Sequence, residues 1–152
     1  MPEPVSVTKE IAASAEEVWA LVTDISRMGE WSPETEACTW IKGATGPEVG
    51  ARFKGSNRNG SKSWSTVAKV VEAAPGRTFA FDVAVGPFGV ARWGYAIEPT
   101  EAGCTVTETW TDHRSALTKL ISGPISGVSD RATHNREGMA ATLDRIAAAA
   151  EQ

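Results

Sequence analysis

Glu108 is the residue whose position in the sequence most directly suggests chemistry. Residues 104–111 form two alternating sets. One set consists of four threonines, and the other, which we place on the inner face, consists of Cys104, Val106, Glu108 and Trp110. Because successive side chains of a strand point to opposite faces, Glu108 lies among apolar residues. Such a carboxyl group must be hydrogen-bonded, paired or protonated. Tyr95 shares its face from the preceding strand, so we predict Glu108 as acid or base and Tyr95 as hydrogen-bond donor if chemistry occurs.

The two histidines are the next candidates for chemistry. His134 lies one position off the apolar stripe of the predicted final helix. His134 either forms an acid/base group with Glu108 and Tyr95 or remains half-exposed at the surface. His113, at the end of the Glu108 strand, is predicted at the rim. Neither histidine belongs to an HxxxH or HExxH motif and neither cysteine to a CxxC motif, so we expect reduced thiols, no metal and no cofactor.

Aromatic side chains form the second candidate group. The sequence contains six Trp, four Phe and one Tyr. Rings that face inward either line a ligand cavity or fill a core, and for each single ring both readings remain open. The predicted ligand-binding residues are Trp31, Phe53, Trp64, Thr66, Phe79, Phe81, Trp93, Tyr95, Glu108, Trp110 and His134.

The elements that position these residues begin with a strand and two short helices. Residues 4–12 alternate as in an extended strand. Ser14 and Glu17 have the S-x-x-E spacing of a capping box, which predicts the start of a helix. Helical spacing continues through Gly29, where we expect a bend into a second short helix, and Pro33 ends it.

Six further strands are predicted between residues 37 and 111, where the hydrophobic period changes to two. Turn residues separate them at 43–47, 57–60, 74–76, 86–89 and 99–103. Neighbouring strands are then expected to pair in an antiparallel meander. The 86–89 turn carries Phe88 where polar residues are usual, which suits either a gate at a cavity mouth or a ring folded back onto its hairpin.

The C-terminal part of the chain predicts a segment that covers the cavity and, after it, a long helix. Segment 112–129 indicates a short helix followed by an irregular connection, and Phe88, Leu117 and Ile121 are predicted at the cavity mouth. A final helix, capped by Asp130 and running to about Ala150, has its stripe at Ala132, Asn135, Met139, Leu143 and Ile146. The fold class is therefore α+β, with a curved seven-stranded antiparallel sheet wrapped around the C-terminal helix in a single domain, residues 1–152.

Charge and hydropathy exclude several classes of partner. The net charge of -4 and the pI near 5.2 argue against a nucleic-acid partner, which usually requires a basic surface. No stretch approaches the ~20 apolar residues of a membrane span, and the first residues lack the pattern of a signal peptide. We expect a cytoplasmic monomer or homodimer without membrane insertion.

Several short motifs together resemble a known family. They are AEEVW at 15–19, WSP at 31–33, GARFKG at 50–55, PGR at 75–77, WGY at 93–95 and GCTVTETW at 103–110. This set resembles the polyketide cyclase/dehydrase branch of the START-related (SRPBCC) superfamily, which shares its fold with the birch pollen allergen.

The resemblance implies a helix-grip fold with a cavity between the sheet and the last helix. That cavity holds a lipid, a polyketide or another apolar ligand in the family. The stretch NREGM at 135–139 is similar to the start of the family's last helix, which adds Asn135 to the predicted ligand-binding residues. None of the matching motifs is a catalytic signature.

Three functions are compatible with these observations. The leading hypothesis is binding of a small hydrophobic or aromatic molecule, with cyclase- or dehydratase-type chemistry left open. One alternative is a protein-interaction module without a ligand, which predicts a closed interior and an exposed apolar patch near Phe88 or within residues 117–128. The other is a non-catalytic carrier of a lipid or quinone, which needs no titratable residue inside the cavity.

Overall fold

A seven-stranded antiparallel sheet forms the body of the molecule. The computed structural model describes residues 4–128 and 130–152. The strands are β1 (Val5–Ile11), β2 (Thr35–Ile41), β3 (Arg52–Asn59), β4 (Lys62–Ala74), β5 (Thr78–Val85), β6 (Phe88–Thr100) and β7 (Gly103–Asp112). Their order is β1-β7-β6-β5-β4-β3-β2, so β2 to β7 form a meander and β1 pairs with its last strand. The predicted α+β helix-grip architecture is confirmed.

The sheet curves because its ladders are interrupted at three places. The register shifts between Thr35 and Ala37 on β2, between Val70 and Glu72 on β4, and between Val83 and Ala84 on β5. Such irregularities bend a strand and increase its twist. The concave face that results carries the inward side chains assigned from alternation.

Two short helices follow β1. Helix α1 (Ala15–Thr23) begins at Ser14, whose hydroxyl accepts a hydrogen bond from the Glu17 amide at 3.1 Å, as the capping-box spacing predicts. A 3-10 turn (Ile25–Arg27) leads into α2 (Met28–Trp31). Gly29 lies inside α2 rather than at the predicted bend. A Cβ atom there would collide with the backbone carbonyl of Glu36 on β2, so glycine allows α2 to pack directly on that strand.

Helix α3 (Ala116–Ser126) is longer than the sequence predicted. We expected residues 112–129 to form a short helix and then an irregular connection, but α3 continues through Pro124. It ends at Gly127, whose φ of 74° and hydrogen bond to the Gly123 carbonyl terminate the helix. Ser129, the last residue of the predicted segment, and residues 1–3 lie outside the described residues.

Helix α4 (Arg131–Ala150) crosses the concave face of the sheet. Its N-cap is Asp130, which accepts from the Thr133 amide at 3.2 Å, as predicted. Ala132 was wrongly placed on the inner stripe: it is exposed, and Arg131 takes that side of the helix. An α-helix has 3.6 residues per turn, so Arg131, four positions before Asn135, lies on the same side of the helix as Asn135.

The main core lies between α1, the sheet and the C-terminal half of α4. Leu143, Ile146 and Ala147 of α4 belong to the same buried cluster as Phe79 and Ile97 of the sheet. Helix α1 covers this end of the sheet, and the indole of its Trp19 donates to the Thr78 carbonyl at 2.8 Å. A second, smaller buried cluster, formed by Val5, Ala91, Trp110 and Met139, lies apart from this core.

Candidate functional site

A cavity of about 510 Å³ lies between the sheet, α2, α3 and the N-terminal half of α4. Most of the predicted ligand-binding residues line it. They are Phe53, Trp64, Thr66, Phe81, Trp93, Tyr95, Glu108, Trp110, His134 and Asn135, and the predicted mouth residues Phe88, Leu117 and Ile121 border it as well.

Trp31 and Phe79 are the two predicted ligand-binding residues that lie outside the cavity lining. Phe79 is fully buried under α1, in the part of the sheet that forms the core. Trp31 ends α2 and packs in the same core cluster as Leu143, with the Arg27 guanidinium 5.0 Å from its ring centre. Both rings point into the protein interior, but they pack in the core and do not reach the cavity.

Small residues at inward positions leave the space for the cavity. Gly55 on β3, Ala68 on β4, Ala91 on β6 and Gly138 on α4 all line it. A Cβ atom at Gly138 would meet no other atom within 4 Å. Glycine inside a helix is normally destabilising, so its presence at this lining position opens the cavity rather than serving the helix.

Tyr95 and Glu108 form the buried polar end of the cavity. They are directly opposite each other on β6 and β7, and the Tyr95 hydroxyl donates to Glu108 Oε2 at 3.2 Å. Burial raises the pKa of Glu108 to about 8, although the hydrogen bond from Tyr95 lowers it. Near neutral pH the protonated carboxyl predominates, so this end of the cavity can donate a proton or a hydrogen bond.

A second polar group lies on the cavity wall at the start of α4. Glu34 accepts from Arg131 Nη1 at 2.6 Å through Oε1 and contacts His134 Nε2 at 3.0 Å through Oε2. Arg131 also donates to Asn135 Oδ1 at 3.3 Å, and its guanidinium carbon is 5.8 Å from the Trp64 ring centre. His134 is half-buried and pairs with Glu34, whereas Glu108 pairs with Tyr95.

Helix α3 crosses the mouth and is attached at both of its ends. Arg114 donates to both carboxylate oxygens of Asp112, at 2.9 Å each, and to Ser122 Oγ at 2.9 Å. Asn59, the last residue of β3, donates to the Ser126 carbonyl at 2.9 Å. These contacts join α3 to the end of β7 on one side and to β3 on the other.

The mouth is bordered by exposed apolar side chains. Leu117 is 62% exposed, and Ile121, Ile125 and Phe88 are exposed as well. Leu120 of α3 is 75% exposed but does not line the cavity. His113, predicted at the rim, is exposed but does not line the cavity. The mouth is therefore apolar on its outer side too.

Several cavity residues were not identified from the sequence. Glu34 lies in the connection after α2, and its contact with His134 joins residues 100 positions apart, which local patterns do not indicate. Helical spacing could have predicted Arg131 and Gly138 as lining residues. Arg131 lies one turn before Asn135 and Gly138 one turn before Thr142, on a side of α4 that lines the cavity. Cys38 also lines the cavity, but burial raises the pKa of its thiol to about 11, so it is a poor nucleophile.

Two absences concern the described residues only. Within residues 4–128 and 130–152, no group of three or more His, Cys, Asp or Glu side chains is arranged to hold a metal ion. None of the helices in that part of the chain is long and apolar enough to cross a membrane.

Comparison with protein families agrees with this geometry. A family model described as "Polyketide cyclase / dehydrase and lipid transport" matches residues 3–151. The chain belongs to this family. Among curated proteins none matches it.

Members of known structure and more distant structures share the fold. The polyketide cyclase-like protein Cgl2372 from Corynebacterium glutamicum is 32% identical, over 100% of this chain and 92% of that one, with a TM-score of 0.59. The Zhui aromatase/cyclase from Streptomyces sp. R1128 is 15% identical over 99% and 94% of the two chains, with a TM-score of 0.71. Major latex-like protein 151 from Panax ginseng is 11% identical over 97% of each chain, also with a TM-score of 0.71.

Proposed function

We propose that this protein binds one small hydrophobic or aromatic molecule in the cavity between its sheet and α4. The observation that carries the proposal is a cavity of about 510 Å³, within the ~300–1,000 Å³ typical of sites for small organic ligands. Most of its wall surface is apolar, and its polar side chains include the Glu108–Tyr95 pair and the group around Glu34. A ligand with a largely apolar body fits this chemistry best.

Family membership supports this proposal. The family is described by polyketide cyclisation or dehydration and by lipid transport, and both involve small organic molecules. The structural likeness to the Zhui aromatase/cyclase, at 15% identity, concerns the fold and leaves the ligand open.

Proton transfer to the bound molecule is the finer part of the proposal. The protonated Glu108 carboxyl can donate to a ligand oxygen while the cavity holds the reacting chain in a folded shape. Tyr95, which donates to Glu108, orients the carboxyl. If a ketide substrate is found, a Glu108→Gln variant with full turnover excludes this proton-donor role, whereas a large loss of kcat at unchanged KM supports it.

The two alternative functions fit the structure less well. A pure interaction module predicts a closed interior, but a cavity is present. Of the exposed apolar side chains that it also predicts near Phe88 and within residues 117–128, all but Leu120 border the mouth of the cavity, where ligand access accounts for them. A carrier shares the cavity but does not require the buried Glu108–Tyr95 pair.

Binding is tested with the fluorescent apolar probe N-phenyl-1-naphthylamine and two variants of Gly138. In Gly138→Phe the new ring would occupy the cavity, whereas Gly138→Ala adds one methyl group at a position with open space. We expect probe emission to rise with wild type and Gly138→Ala but not with Gly138→Phe, and circular dichroism checks that both variants fold. Equal binding by the folded Gly138→Phe protein would contradict the cavity as the site.

The same protein is then measured by native mass spectrometry before and after organic extraction. A defined extra mass that extraction removes, and that Gly138→Phe lacks, identifies the co-purifying ligand. An extra mass that persists in Gly138→Phe would place the bound molecule outside the cavity.

A further inference from the structure

Glu108 holds a polar atom that the protein leaves without a partner. Its Oε2 accepts from Tyr95, but Oε1 is buried and has no hydrogen-bond partner among the described residues. The residue is only 3% exposed, and it lines the cavity together with Tyr95. Unsatisfied buried polar atoms are rare in native proteins because the loss of their hydration is not compensated.

Lys9 and His134, on two of the elements that pack around Glu108, are engaged with other partners. On β1, Lys9 forms an ion pair with Asp144 of α4 at 3.1 Å. His134 of α4 contacts Glu34 at 3.0 Å. The titratable group that bonds Glu108 is therefore Tyr95 of β6. Without a cation beside it, the buried carboxyl is more stable in its neutral form.

From this geometry we propose that Glu108 selects ligands whose apolar body carries an uncharged hydrogen-bond-accepting oxygen, such as an aryl or alkyl ketone. The proposal rests on the proposed function, since it concerns the same cavity. The neutral carboxyl donates its proton to the ligand oxygen, and the atom that the protein leaves unpaired is then satisfied. Glu108 is in this sense a specificity-determining residue.

Two other ligand classes fit the same position less well. A hydrocarbon fills the space but leaves the carboxyl without a partner. A carboxylate brings a second acid into a region where the nearby cations are already paired, so its charge would be desolvated without compensation. The expected order of affinity is ketone, hydrocarbon, carboxylate.

Three naphthalenes of similar size test this order by equilibrium dialysis at pH 6.5: 2-acetylnaphthalene, 2-ethylnaphthalene and 2-naphthoate. We expect the ketone to bind roughly tenfold more tightly than the ethyl compound, a ratio typical of one buried hydrogen bond. The carboxylate should bind most weakly. Equal affinities of the ketone and the ethyl compound overturn the proposal but leave the proposed function intact, whereas no binding by any of the three overturns both.

Variants of Glu108 separate hydrogen bonding from cavity shape. Glu108→Leu should bind both neutral naphthalenes with equal affinity, while Glu108→Gln, whose amide still donates, should keep a preference for the ketone. A Leu variant that retains the full ketone preference overturns the proposal.

The pH dependence of the preference is a further readout that a change in shape would not produce. Because burial raises the pKa of Glu108 to about 8, the wild-type preference for the ketone should decline as the pH rises past that value. In Glu108→Gln it should not change with pH. An unchanged wild-type preference up to pH 9.5 would contradict a neutral carboxyl as the donor.

Discussion

At the scale of single residues, Glu108 combines a cost in stability with a proposed role in binding. It is held among apolar side chains on β7, with one oxygen bonded to Tyr95 and the other unpaired. Substituting a leucine would remove the unpaired atom, but it would also leave the buried Tyr95 hydroxyl without its acceptor. A buried acid with a strongly raised pKa in a cavity is a frequent property of functional sites.

The stability of the protein should depend on pH through this residue. In the unfolded chain the carboxyl ionises near its ordinary value of 4.5, whereas in the folded chain its pKa is about 8. Between these values the folded state binds more protons, so the free energy of unfolding should fall as pH rises, by up to ~1.4 kcal/mol per pH unit, and level off above about 8.

This dependence is measured by urea unfolding between pH 5.5 and 9, with wild type and Glu108→Gln compared. Gln cannot ionise, so the variant should lose the downward slope that Glu108 contributes. If both proteins show the same slope over this interval, Glu108 is ionised in the folded state and the argument for a neutral donor fails.

At the scale of elements, α3 borders the mouth of the cavity, which makes it the element expected to control access. It crosses the mouth, exposes apolar side chains and is attached through Arg114 at one end and Asn59 at the other. Helices with few buried contacts open more readily than the sheet that carries them. Access to the cavity is therefore expected to follow the opening of α3.

Loss of the Arg114 contacts should increase that opening. In Arg114→Ala, Asp112 and Ser122 lose their charged donor, and amide hydrogen exchange in residues 116–126 should accelerate while exchange in β5 to β7 stays unchanged. Lys119→Ala is the matched control, since Lys119 is half-exposed and lies 3.9 Å from the same carboxylate, and pairs of that kind contribute little. Exchange in α3 that is equal in Arg114→Ala, Lys119→Ala and wild type would show that Arg114 does not hold the helix.

At the scale of the whole molecule, core and cavity lie side by side on one concave face and share residues such as Phe53, Phe81 and Tyr95. Helix α4 serves both: its N-terminal half lines the cavity with His134, Asn135 and Gly138, and its C-terminal half packs Leu143 and Ile146 into the core. Helix α1 covers the core end and α3 covers the cavity end. Substitutions at core residues that do not line the cavity should therefore change stability without changing binding.

A core substitution tests this separation. Ile146 is fully buried and does not line the cavity, so Ile146→Ala should lower the free energy of unfolding by about 2–5 kcal/mol. Its affinity for N-phenyl-1-naphthylamine, measured without denaturant, should stay within about twofold of wild type. A parallel loss of affinity in the folded variant would mean that core and cavity form one cooperative unit.

Local patterns were sufficient to predict much of the architecture. Turn residues separated the strands, and alternation placed Glu108 and Tyr95 on one face; the short β6–β7 turn then sets their register and brings them opposite each other. Capping by Ser14 and Asp130 was also readable from the sequence, because a cap involves residues three positions apart. The length of α3 was not, since a proline inside the pattern predicted an earlier end.

What the sequence alone determined is thus the set of inward side chains, because the two-residue period of a strand is a local property. Only the tertiary structure decided which of them meet a ligand-sized space. Phe79 and Phe81 share one face of β5, yet α1 covers the first and the cavity borders the second. Likewise, His134 contacts Glu34, which lies 100 positions earlier in the sequence. These outcomes depend on where distant helices pack, and no local period encodes that.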